Sequence, residues 1–419
     1  MQASSRDEPQ VTVIGAGIVG VCCTLSLLEK GLSVRLIDKA TPATGASLGN
    51  AGVISPWSCV PQSMPGLWRH VPGWLLDPKG PISIRWGYLP QLAPWALKFL
   101  RAGQRDRIPA IATAMDALNR PNVELYRHHL AGTGHEDVLR GSWYVHPFRD
   151  PAKAELSDLA WRLRQERGAP VERVDGPALR ELEPALSHDY KAAIVVKDQA
   201  RATSPGRLGT ALADKARKLG ADVVQAGVEE IKPGAERGWR LLTTGGEMMS
   251  PNIVVSAGAW STGLLKPLGI DLPLEAERGY HLMFEDPRVT LNHSVMDMEG
   301  KFVVSSMDEG LRSAGTAEFA GLDAPPDYRR ARIFESLTKR LLPGLNTAKT
   351  REWMGVRPSF PDSLPCIGQV PGFDGLYAAF GHSHYGLGMA PATGRVIAEL
   401  LAGSTPGIDL GPYRVDRFL

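Results

Sequence analysis

Three glycines near the start of the chain, Gly15, Gly17 and Gly20, have the spacing of a turn that binds phosphate. Gly15 permits a tight turn, Gly17 allows the backbone to approach a pyrophosphate, and Gly20 allows a helix to pack closely on a sheet. Asp38 follows 18 residues after Gly20, where a carboxylate can accept hydrogen bonds from ribose hydroxyls. These residue types at these positions predict a site for an adenine dinucleotide.

The elements that must position these residues are a strand, a helix and a second strand. Val11–Ile14 is a short apolar run that leads into the turn, and an apolar helical stretch extends from there to Lys30. Residues 33–38 form the second predicted strand, with Asp38 at its end. The helix begins at the turn, so its unpaired N–H groups and partial positive charge face the phosphates.

Two further segments favour FAD over NAD. Residues 43–52 are small, polar and rich in glycine; backbone N–H groups in such a loop can line an anionic ligand, and an ordinary loop is the alternative. Near the other end, the apolar strand Leu376–Phe380 precedes a glycine-rich turn and a helix that reaches Leu401. A second helix N-terminus stabilises the negative charge of a reduced flavin by up to about 2 kcal/mol.

Composition excludes several classes of function. The 419 residues predict two domains with sizeable cores. A net charge of +2 without a block of Lys or Arg indicates no nucleic-acid partner. Residues 1–10 contain no apolar core and no apolar run reaches about 18 residues, so we expect neither a signal peptide nor a membrane span. The cysteines have neither disulfide nor zinc spacing, and we expect reduced thiols in the cytoplasm. They are Cys22, Cys23, Cys59 and Cys366.

Four groups of motifs extend over most of the chain. They lie at 15–20, at 47–55, at 254–261, and at 355–368 together with 381–394. In these motifs the chain resembles the D-amino acid oxidase/dehydrogenase superfamily of FAD enzymes, and within it most resembles the bacterial D-amino acid dehydrogenases. Enzymes for sarcosine, glycine, hydroxyproline and iminodiacetate are built on the same plan. The resemblance is therefore less specific for the substrate than for the superfamily.

The resemblance implies an α/β fold in which a Rossmann-like FAD-binding domain of the glutathione-reductase type is interleaved with an α+β substrate domain built on an antiparallel sheet. The FAD-binding domain comprises 1–60, 199–270 and 350–419, and the substrate domain comprises 61–198 and 271–349. Local signals agree, since Ser204 followed by Pro205 is typical of a helix start. We also expect helices at 151–167 and 326–342, and strands at 274–284, 294–297 and 302–305.

The resemblance also implies which residues contact FAD. The Val228 backbone meets the adenine, Ala257 and Gly258 approach the cofactor closely, and His382 belongs to the flavin-binding turn. We expect non-covalent FAD, because Cys366 is not placed where the sarcosine oxidases tether their flavin. The implied contacts are Gly15, Gly17, Ile18, Gly20, Asp38, Lys39, Ser47, Asn50, Ala51, Gly52, Val53, Val228, Ala257, Gly258, Trp260, His382, Tyr385, Gly386, Leu387, Gly388 and Met389.

Arg357 is the first candidate for the reaction itself. In the resembled family the arginine of its motif makes a bidentate pair with the substrate carboxylate, which a planar guanidinium suits; a surface ion pair is the alternative. Tyr280 is the second candidate, as a hydroxyl donor to that carboxylate or as pocket wall, with a core tyrosine as the alternative. Strand alternation places Arg278 and Tyr280 on one face and His281 on the other, and Arg278 has an alternative role at the domain junction.

His384 is a third candidate, with a role in the pocket that the sequence does not specify. A catalytic base is not required when the amine of the substrate is neutral. We expect no metal site, because no third ligand stands at helical or loop spacing from His382 and His384.

These features predict FAD-dependent oxidative deamination of a D-amino acid by hydride transfer to flavin N5. The imino acid then hydrolyses to a 2-oxo acid and ammonia. Arg357 contributes by holding Cα–H towards the flavin. The alternatives are the same oxidation of a secondary amino acid of the sarcosine, hydroxyproline or iminodiacetate type, a flavin hydroxylase that uses NADPH, and a non-catalytic FAD-binding subunit. The electron acceptor, a quinone or electron-transfer carrier or else oxygen, is left open.

Residues 55–103 are rich in tryptophan and basic residues. This combination can mark a peripheral membrane contact, which would place the protein at the inner face of the membrane. A cover broken by prolines and packed on the substrate domain is the other interpretation. We favour the cover, because no sustained amphipathic pattern precedes Gln91. The tryptophans are Trp57, Trp68, Trp74, Trp86 and Trp95.

Overall fold

The computed structural model describes residues 8–234 and 237–419. The strands of this part are β1 (Val11–Ile14), β2 (Val34–Asp38), β3 (Val53–Ile54), β4 (Ile82–Ile84), β5 (Leu139–Phe148), β6 (Val171–Asp175), β7 (Ala192–Ala202), β8 (Asp222–Gln225), β9 (Val228–Pro233), β10 (Trp239–Thr243), β11 (Gly246–Ser250), β12 (Asn252–Val255), β13 (Glu275–Phe284), β14 (Ser294–Asp297), β15 (Phe302–Met307), β16 (Gly310–Ala314), β17 (Ala317–Phe319), β18 (Thr350–Ser359), β19 (Cys366–Gln369) and β20 (Leu376–Phe380).

Its α-helices flank these strands. They are α1 (Ile18–Glu29), α2 (Val71–Leu76), α3 (Leu89–Ala102), α4 (Ile108–Asn119), α5 (Asn122–Leu130), α6 (Leu159–Glu166), α7 (Gly176–Leu182), α8 (Pro205–Lys218), α9 (Ser261–Leu265), α10 (Arg329–Leu341) and α11 (Gly386–Leu401).

A six-stranded sheet contains both predicted strands around the glycine turn. Its order is β19-β20-β12-β1-β2-β8, and its pairs are parallel except for β19 with β20. Apolar side chains on both faces are buried, as a parallel sheet covered on both sides requires. On one face α1 crosses α11 closely, since a Cβ on Gly394 would lie 2.5 Å from the Cys22 carbonyl oxygen. Residues of α1 and α11 therefore share one hydrophobic core.

An 11-stranded sheet forms the second region and is mixed, not purely antiparallel as expected. The pairs β5–β14 and β4–β17 are parallel. Strand β18 pairs with β13 along its length, although the predicted FAD-binding domain includes 350–419. Strand β3 pairs with β7, although the predicted boundary lies at residue 60. These pairings join segments that are distant in sequence, which local patterns do not reveal.

One predicted helix differs from the structure. Residues 151–167 do not form a single helix: Asp150 accepts a hydrogen bond from the Ala152 N–H and closes a short 3-10 turn that ends at Lys153. The backbone then leaves helical geometry at Ala154, and α6 begins only at Leu159. Asp150 therefore caps the short turn and not an α-helix. The predicted helix at 326–342 is confirmed as α10, and the cap at Ser204 is confirmed for α8.

The tryptophan-rich stretch packs in part on the large sheet. The Trp95 indole N–H donates to the Ser359 carbonyl at 3.0 Å, whereas Trp68 and Trp86 are 59% and 76% exposed. No helix within 8–234 and 237–419 combines the length and the apolar composition that crossing a bilayer would need. Both interpretations of the stretch stay predictions.

Candidate active site

A cavity of about 1360 Å³ runs from the glycine turn to the large sheet. Binding sites for ordinary small ligands occupy about 300–1000 Å³, so this one has room for a dinucleotide and a substrate. Most of the predicted site residues line it. Those that line it are Gly15, Gly17, Ile18, Asp38, Lys39, Ser47, Asn50, Ala51, Val53, Val228, Ala257, Gly258, Trp260, Tyr280, Arg357, His382, His384, Tyr385, Gly386, Leu387 and Gly388.

Three predicted cofactor contacts do not line the cavity. Gly20 lies below the turn, where a Cβ would approach the Gly15 carbonyl oxygen to 1.8 Å, so this glycine allows close packing, as the glycine pattern implied. Gly52 has φ +80° and a Cβ there would lie 2.5 Å from the Ala202 carbonyl oxygen. Met389 is fully buried in the core. These three residues pack behind the wall of the cavity. They were expected to contact the cofactor, and the structure places them as packing residues instead.

The N-terminus of α1 can accept an anion. It has no acidic residue in its first turn, and Gly17, Ile18 and Val19 border the cavity. Gly15 adopts φ +104°, a conformation that favours glycine. The Ser47 hydroxyl accepts a hydrogen bond from the Ile18 N–H at 3.1 Å and so lies where a pyrophosphate would bind. The donors present therefore fit the phosphates of FAD.

Asp38 lies at the carboxyl end of β2, beside the same turn. Its Oδ2 accepts from the Ala16 N–H at 2.7 Å, and Oδ1 accepts from the Ala40 N–H at 2.8 Å. The carboxylate thus orients the turn, and its remaining lone pairs can accept from ribose hydroxyls. Nearby, the Lys39 ammonium lies 4.2 Å from the centre of the Trp260 ring.

Replacing Asp38 tests this assignment. We expect Asp38→Ala to raise the dissociation constant of FAD by about 10- to 100-fold, because hydrogen bonds to a charged group contribute about 1.5–3 kcal/mol. Asp38→Asn keeps an acceptor and should weaken FAD binding less. The measurement is the fluorescence of FAD that passes an ultrafilter at several protein concentrations. Unaltered retention in Asp38→Ala would remove the carboxylate from FAD binding.

The loop at 47–53 is held by side chains from the large sheet. The Arg312 guanidinium donates to the carbonyl oxygens of Leu48 and Asn50 at 2.9 and 2.6 Å. His281 Nδ1 lies 3.1 Å from the Gly49 carbonyl oxygen, and a Cβ on Gly49 would lie 2.0 Å from the Trp353 ring. This loop is therefore a rigid wall of the cavity.

The N-terminus of α11 forms the opposite wall. Gly386, Leu387 and Gly388 border the cavity, and its first turn contains no acidic residue. His382 Nε2 lies 3.0 Å from the Thr393 hydroxyl oxygen, and that hydroxyl donates to the Met389 carbonyl, so Nε2 carries the proton. Burial lowers the pKa of His382 to about 3. The helix end therefore supplies positive potential, while its histidine is neutral.

Arg357 lies on β18, directly opposite Glu277 on β13. Its Nη1 donates to Glu277 Oε1 at 2.6 Å and to the Thr316 carbonyl at 3.1 Å. Burial alone would raise the pKa of Glu277, but Arg357, His384 and the Ser359 hydroxyl together hold it below its ordinary value. Among the described residues Nε and Nη2 of Arg357 have no hydrogen-bond partner, and the side chain is 22% exposed. Arg357 is therefore an oriented cation with donors left for a ligand.

Gly279 leaves the space that this guanidinium occupies. A Cβ at Gly279 would lie 2.3 Å from Arg357 Nη2 and 2.4 Å from its Cζ. We expect Gly279→Ala to displace the guanidinium and to lower kcat/KM by about 100-fold, the effect of a misplacement of about 1 Å. Gly141→Ala on the same sheet is the matched control, because a Cβ there meets nothing within 4 Å. Steady-state kinetics with equal activity in the two variants would contradict the positional role of Gly279.

Tyr280 borders the cavity, as its expected role in the pocket wall requires, but its hydroxyl is bonded within the protein. Side chains alternate along β13 as predicted. The face that meets Arg357 is the one with Glu277, Gly279 and His281, and Tyr280 lies on the other face. The Tyr280 hydroxyl instead donates to Glu318 Oε2 at 2.6 Å and accepts from the Asp327 N–H at 3.0 Å. Its hydroxyl is thus corrected from a substrate donor to a buried structural donor. A sequence cannot show which face of a two-sided buried strand borders the site.

Arg278 shares the face of Tyr280. It is fully buried, and its Nε lies 3.4 Å from Glu318 Oε2. It therefore lies away from the cavity, as a structural partner of Glu318.

His384 lies beside the Arg357–Glu277 pair. Its Nδ1 is 2.8 Å from Gln62 Nε2, and Gln62 also donates to Glu277 Oε2 at 3.3 Å. Since the Gln62 amide nitrogen is the donor, Nδ1 accepts and Nε2 carries the proton. The imidazole is accessible from the cavity but is surrounded by protein, and this burial, with Arg357 adding to it and Glu277 opposing it, lowers its pKa to about 4. His384 is therefore neutral at physiological pH.

Sequence patterns missed Glu277, Gly279 and Gln62. Alternation along β13 groups Glu277 with Gly279, which is a signal of a shared face. Which of the two faces borders the cavity depends on the pairing of β13 with β18, which lies about 75 residues further along the chain. Gln62 lies between β3 and α2, where no local motif marks it.

One group of metal-type ligands lies away from the cavity. Glu29, His128 and His129 bring one ligand atom each to within 4.8 Å of one another. Lys215 donates to the His129 carbonyl at 2.9 Å, which places a positive charge beside the group. The expectation of no metal stays a prediction.

A largely parallel sheet with a glycine turn and a large mixed sheet border one deep cavity, and the residues at the turn fit a dinucleotide. The family described as FAD dependent oxidoreductase (DAO) matches residues 10–400, and the chain belongs to this family.

Relatives and solved structures agree with this membership. A D-amino-acid oxidase from Bradyrhizobium diazoefficiens is 38% identical over 98% of this chain and 99% of its own length. A D-amino acid dehydrogenase from the same organism is 29% identical over 98% of this chain and 99% of its own length. A glycine oxidase structure from Geobacillus kaustophilus superimposes with a TM-score of 0.74 at 22% identity, over 98% and 99% of the two chains. The protein is thus an FAD-dependent enzyme that oxidises amino acids at a C–N bond.

Proposed function

We propose that the enzyme oxidises a D-amino acid to an imino acid, which hydrolyses to a 2-oxo acid and ammonia. The observation that carries the proposal is the oriented Arg357 guanidinium in the cavity that also contains the dinucleotide turn. The names of the two relatives from Bradyrhizobium diazoefficiens, a D-amino-acid oxidase and a D-amino acid dehydrogenase, support the stereochemistry.

When bound, FAD supplies the two-electron acceptor for the Cα–H bond. Arg357 binds the substrate carboxylate with the donors that Glu277 does not use, and Glu277 keeps the guanidinium in one orientation. This arrangement gives a near-attack geometry without a covalent step on the protein. His384 is neutral, so it adds no charge that would repel a substrate ammonium. Apolar residues of the cover, including Leu92 and Phe99, line the cavity and exclude water.

Anaerobic reduction of the holoenzyme tests the proposal. The flavin absorbance near its visible maximum is followed after mixing with D-amino acids, their L-enantiomers, sarcosine, hydroxyproline and iminodiacetate. We expect rapid bleaching by D-amino acids and none by their L-enantiomers. Faster bleaching by N-substituted substrates would favour the secondary-amine alternative, and oxidation of NADPH would favour a hydroxylase. A flavin that no amine reduces would indicate a non-catalytic subunit.

We propose that FAD is held without a covalent bond. The four cysteines, Cys22, Cys23, Cys59 and Cys366, are buried, and the cavity lining formed by the described residues contains none of them. Cys366 Sγ instead accepts from Arg417 Nη1 at 3.2 Å. We expect denaturation in acid followed by filtration to release the yellow colour into the filtrate. Colour that stays with the protein would contradict this assignment.

Two electron acceptors stay as proposals, a quinone or electron-transfer carrier and oxygen. Reoxidation of the reduced enzyme by dissolved oxygen in a stopped-flow instrument distinguishes them. Rapid reoxidation identifies an oxidase, whereas slow reoxidation that a soluble quinone accelerates identifies a dehydrogenase. A cytoplasmic location, or one at the inner face of the membrane, stays part of the proposal.

A further inference from the structure

One part of the cavity lies along β5, β15 and α6, and we call it the side pocket. It is separate from the part lined by Arg357 and His384 and from the dinucleotide turn. Its wall is continuous: the rings of Tyr144 and His146 are 4.5 Å apart, those of His146 and Trp161 are 4.8 Å apart, and the Arg164 Cζ lies 5.0 Å from the Trp161 ring. Lys301 completes the wall, and all of these residues border the cavity.

The side pocket contains two basic groups that form no direct ion pair with any residue that the structure describes, although the charge of Asp297 acts on Lys301. Arg164 Nη1 donates to the Ala160 carbonyl at 3.0 Å, and within residues 8–234 and 237–419 no carboxylate forms an ion pair with Arg164 or Lys301. The Tyr144 hydroxyl likewise has no hydrogen-bond partner in that part of the chain. Asp158 borders the cavity at the start of α6 but does not pair with Arg164. Arg164, Lys301 and Tyr144 therefore border one cavity, and no carboxylate of the described residues accepts a hydrogen bond from any of them.

Burial makes this arrangement costly in the absence of a ligand. It lowers the pKa values of Arg164 and Lys301 from their ordinary values. Both side chains are half-buried, and cations that are desolvated without a direct ion pair concentrate at functional sites. His146 supplies no negative charge to balance these cations. Its Nδ1 lies 3.3 Å from the Ile194 carbonyl oxygen, which can only accept, so Nδ1 carries the proton. Burial keeps the ring neutral.

The side pocket and Arg357 line the same cavity. Tyr385 also borders that cavity and donates its hydroxyl to the Val60 carbonyl at 2.7 Å. The charges of Arg164 and Glu277 both act on the Tyr385 hydroxyl, and Glu277 pairs with Arg357. Two separate cationic positions therefore line one substrate space.

We propose that the side pocket binds a second carboxylate of the substrate through Arg164, Lys301 and Tyr144, so that dicarboxylic amino acids are the preferred substrates. The inference rests on the proposed function, because Arg357 must hold the first carboxylate. The second carboxylate belongs either to an acidic side chain, as in D-glutamate, or to a substituent on nitrogen, as in iminodiacetate. Both sources present the same anion to the same donors.

The first test compares substrates on the unmodified holoenzyme. Anaerobic flavin reduction is measured with D-glutamate, D-glutamine, D-norvaline and iminodiacetate. We expect D-glutamate or iminodiacetate to exceed D-glutamine at least about tenfold in the rate constant divided by the apparent dissociation constant, as pairing with a desolvated cation implies. The arm that reacts faster identifies the source of the carboxylate. Equal values for D-glutamate, D-glutamine and iminodiacetate would overturn the proposal.

Two variants and a matched control locate the effect. Arg164→Gln and Lys301→Met should each lower the ratio of D-glutamate to D-glutamine activity at least about fivefold. Arg162→Gln is the control: Arg162 lies on the same helix, is exposed and does not border the cavity, so its ratio should match the unmodified enzyme. A ratio that stays unchanged in both side-pocket variants, or equal losses with all substrates, would overturn the role of these residues.

A binding measurement separates this proposal from the proposed function. The melting temperature of the holoenzyme is measured with glutarate and with butanoate at equal concentration. We expect glutarate to raise it more, and Arg164→Gln to remove the difference. If no amino acid reduces the flavin but glutarate still binds through Arg164, the proposed function fails and the anion site stands. If D-amino acids react but glutarate and butanoate have equal effects, the side-pocket proposal fails alone.

Discussion

Arg357→Ala should lower kcat/KM for the best substrate by about 2–4 kcal/mol in transition-state free energy, or roughly 30- to 1000-fold. The reason is that the variant loses the carboxylate anchor and leaves Glu277 without its cationic partner. Glu277 is only 5% exposed, and removing one partner of a buried pair costs about 3–5 kcal/mol of stability. Steady-state kinetics and urea unfolding of the holoenzyme measure the two effects.

A second substitution separates these two effects. Adding Glu277→Gln to Arg357→Ala removes the unpaired charge, so stability should recover while kcat/KM stays low. Arg351→Ala is the matched control, since Arg351 lies on the same strand but is 60% exposed and pairs with Glu285. It should change neither quantity. Kinetics of Arg357→Ala equal to those of the unmodified enzyme would exclude Arg357 from substrate binding.

Acidification from pH 7.5 to 5.5 should destabilise the folded protein strongly. Burial lowers the pKa values of His146, His281 and His382 to about 3 each, whereas an unfolded histidine titrates near 6.5. Between these values the unfolded chain binds more protons than the folded chain, so stability falls as the pH falls below about 6.5. Each histidine contributes on the order of 1 kcal/mol per pH unit in that window.

One buried carboxyl opposes this dependence. Burial raises the pKa of Glu183 to about 7, so in the folded state it takes up a proton before an unfolded glutamate does, and its contribution rises as the pH falls. It offsets about one of the three histidines, which leaves a net loss on the order of 2 kcal/mol for each pH unit below about 6.5. A loss of this size is a large part of the free energy of unfolding of a typical folded protein, which is about 5–15 kcal/mol.

Urea unfolding at the two pH values, with FAD saturating at both, measures the effect. His146→Asn keeps a donor for the Ile194 carbonyl but cannot be protonated. The free energy of unfolding of this variant should therefore change less with pH, by the contribution of one histidine. A free energy of unfolding that is equal at pH 7.5 and 5.5 would show that these histidines titrate normally in the folded protein.

The glycine turn, the two flanking strands, Asp38 and the C-terminal turn and helix were all recognisable in the sequence. Each depends on a local pattern: glycines where a Cβ has no room, a carboxylate at a strand end, and an apolar run before a helix start. Each of these patterns involves only a few neighbouring residues, so it can be recognised without knowing how the rest of the chain folds. For the same reason the start of α8 at Ser204 and the bounds of β20 matched the structure.

The environment of Arg357 was decided only by the tertiary structure. Strand β18 pairs with β13 in one register, and that register places Glu277 and Gly279 beside the guanidinium, whereas the Tyr280 hydroxyl donates to Glu318. The side pocket likewise joins β5, α6 and β15. More than a hundred residues separate α6 from β15 in the sequence. A strand buried on both faces has no polar side to mark its orientation. Which face borders the cavity is therefore set by packing between distant segments, because local periodicity is the same for either choice.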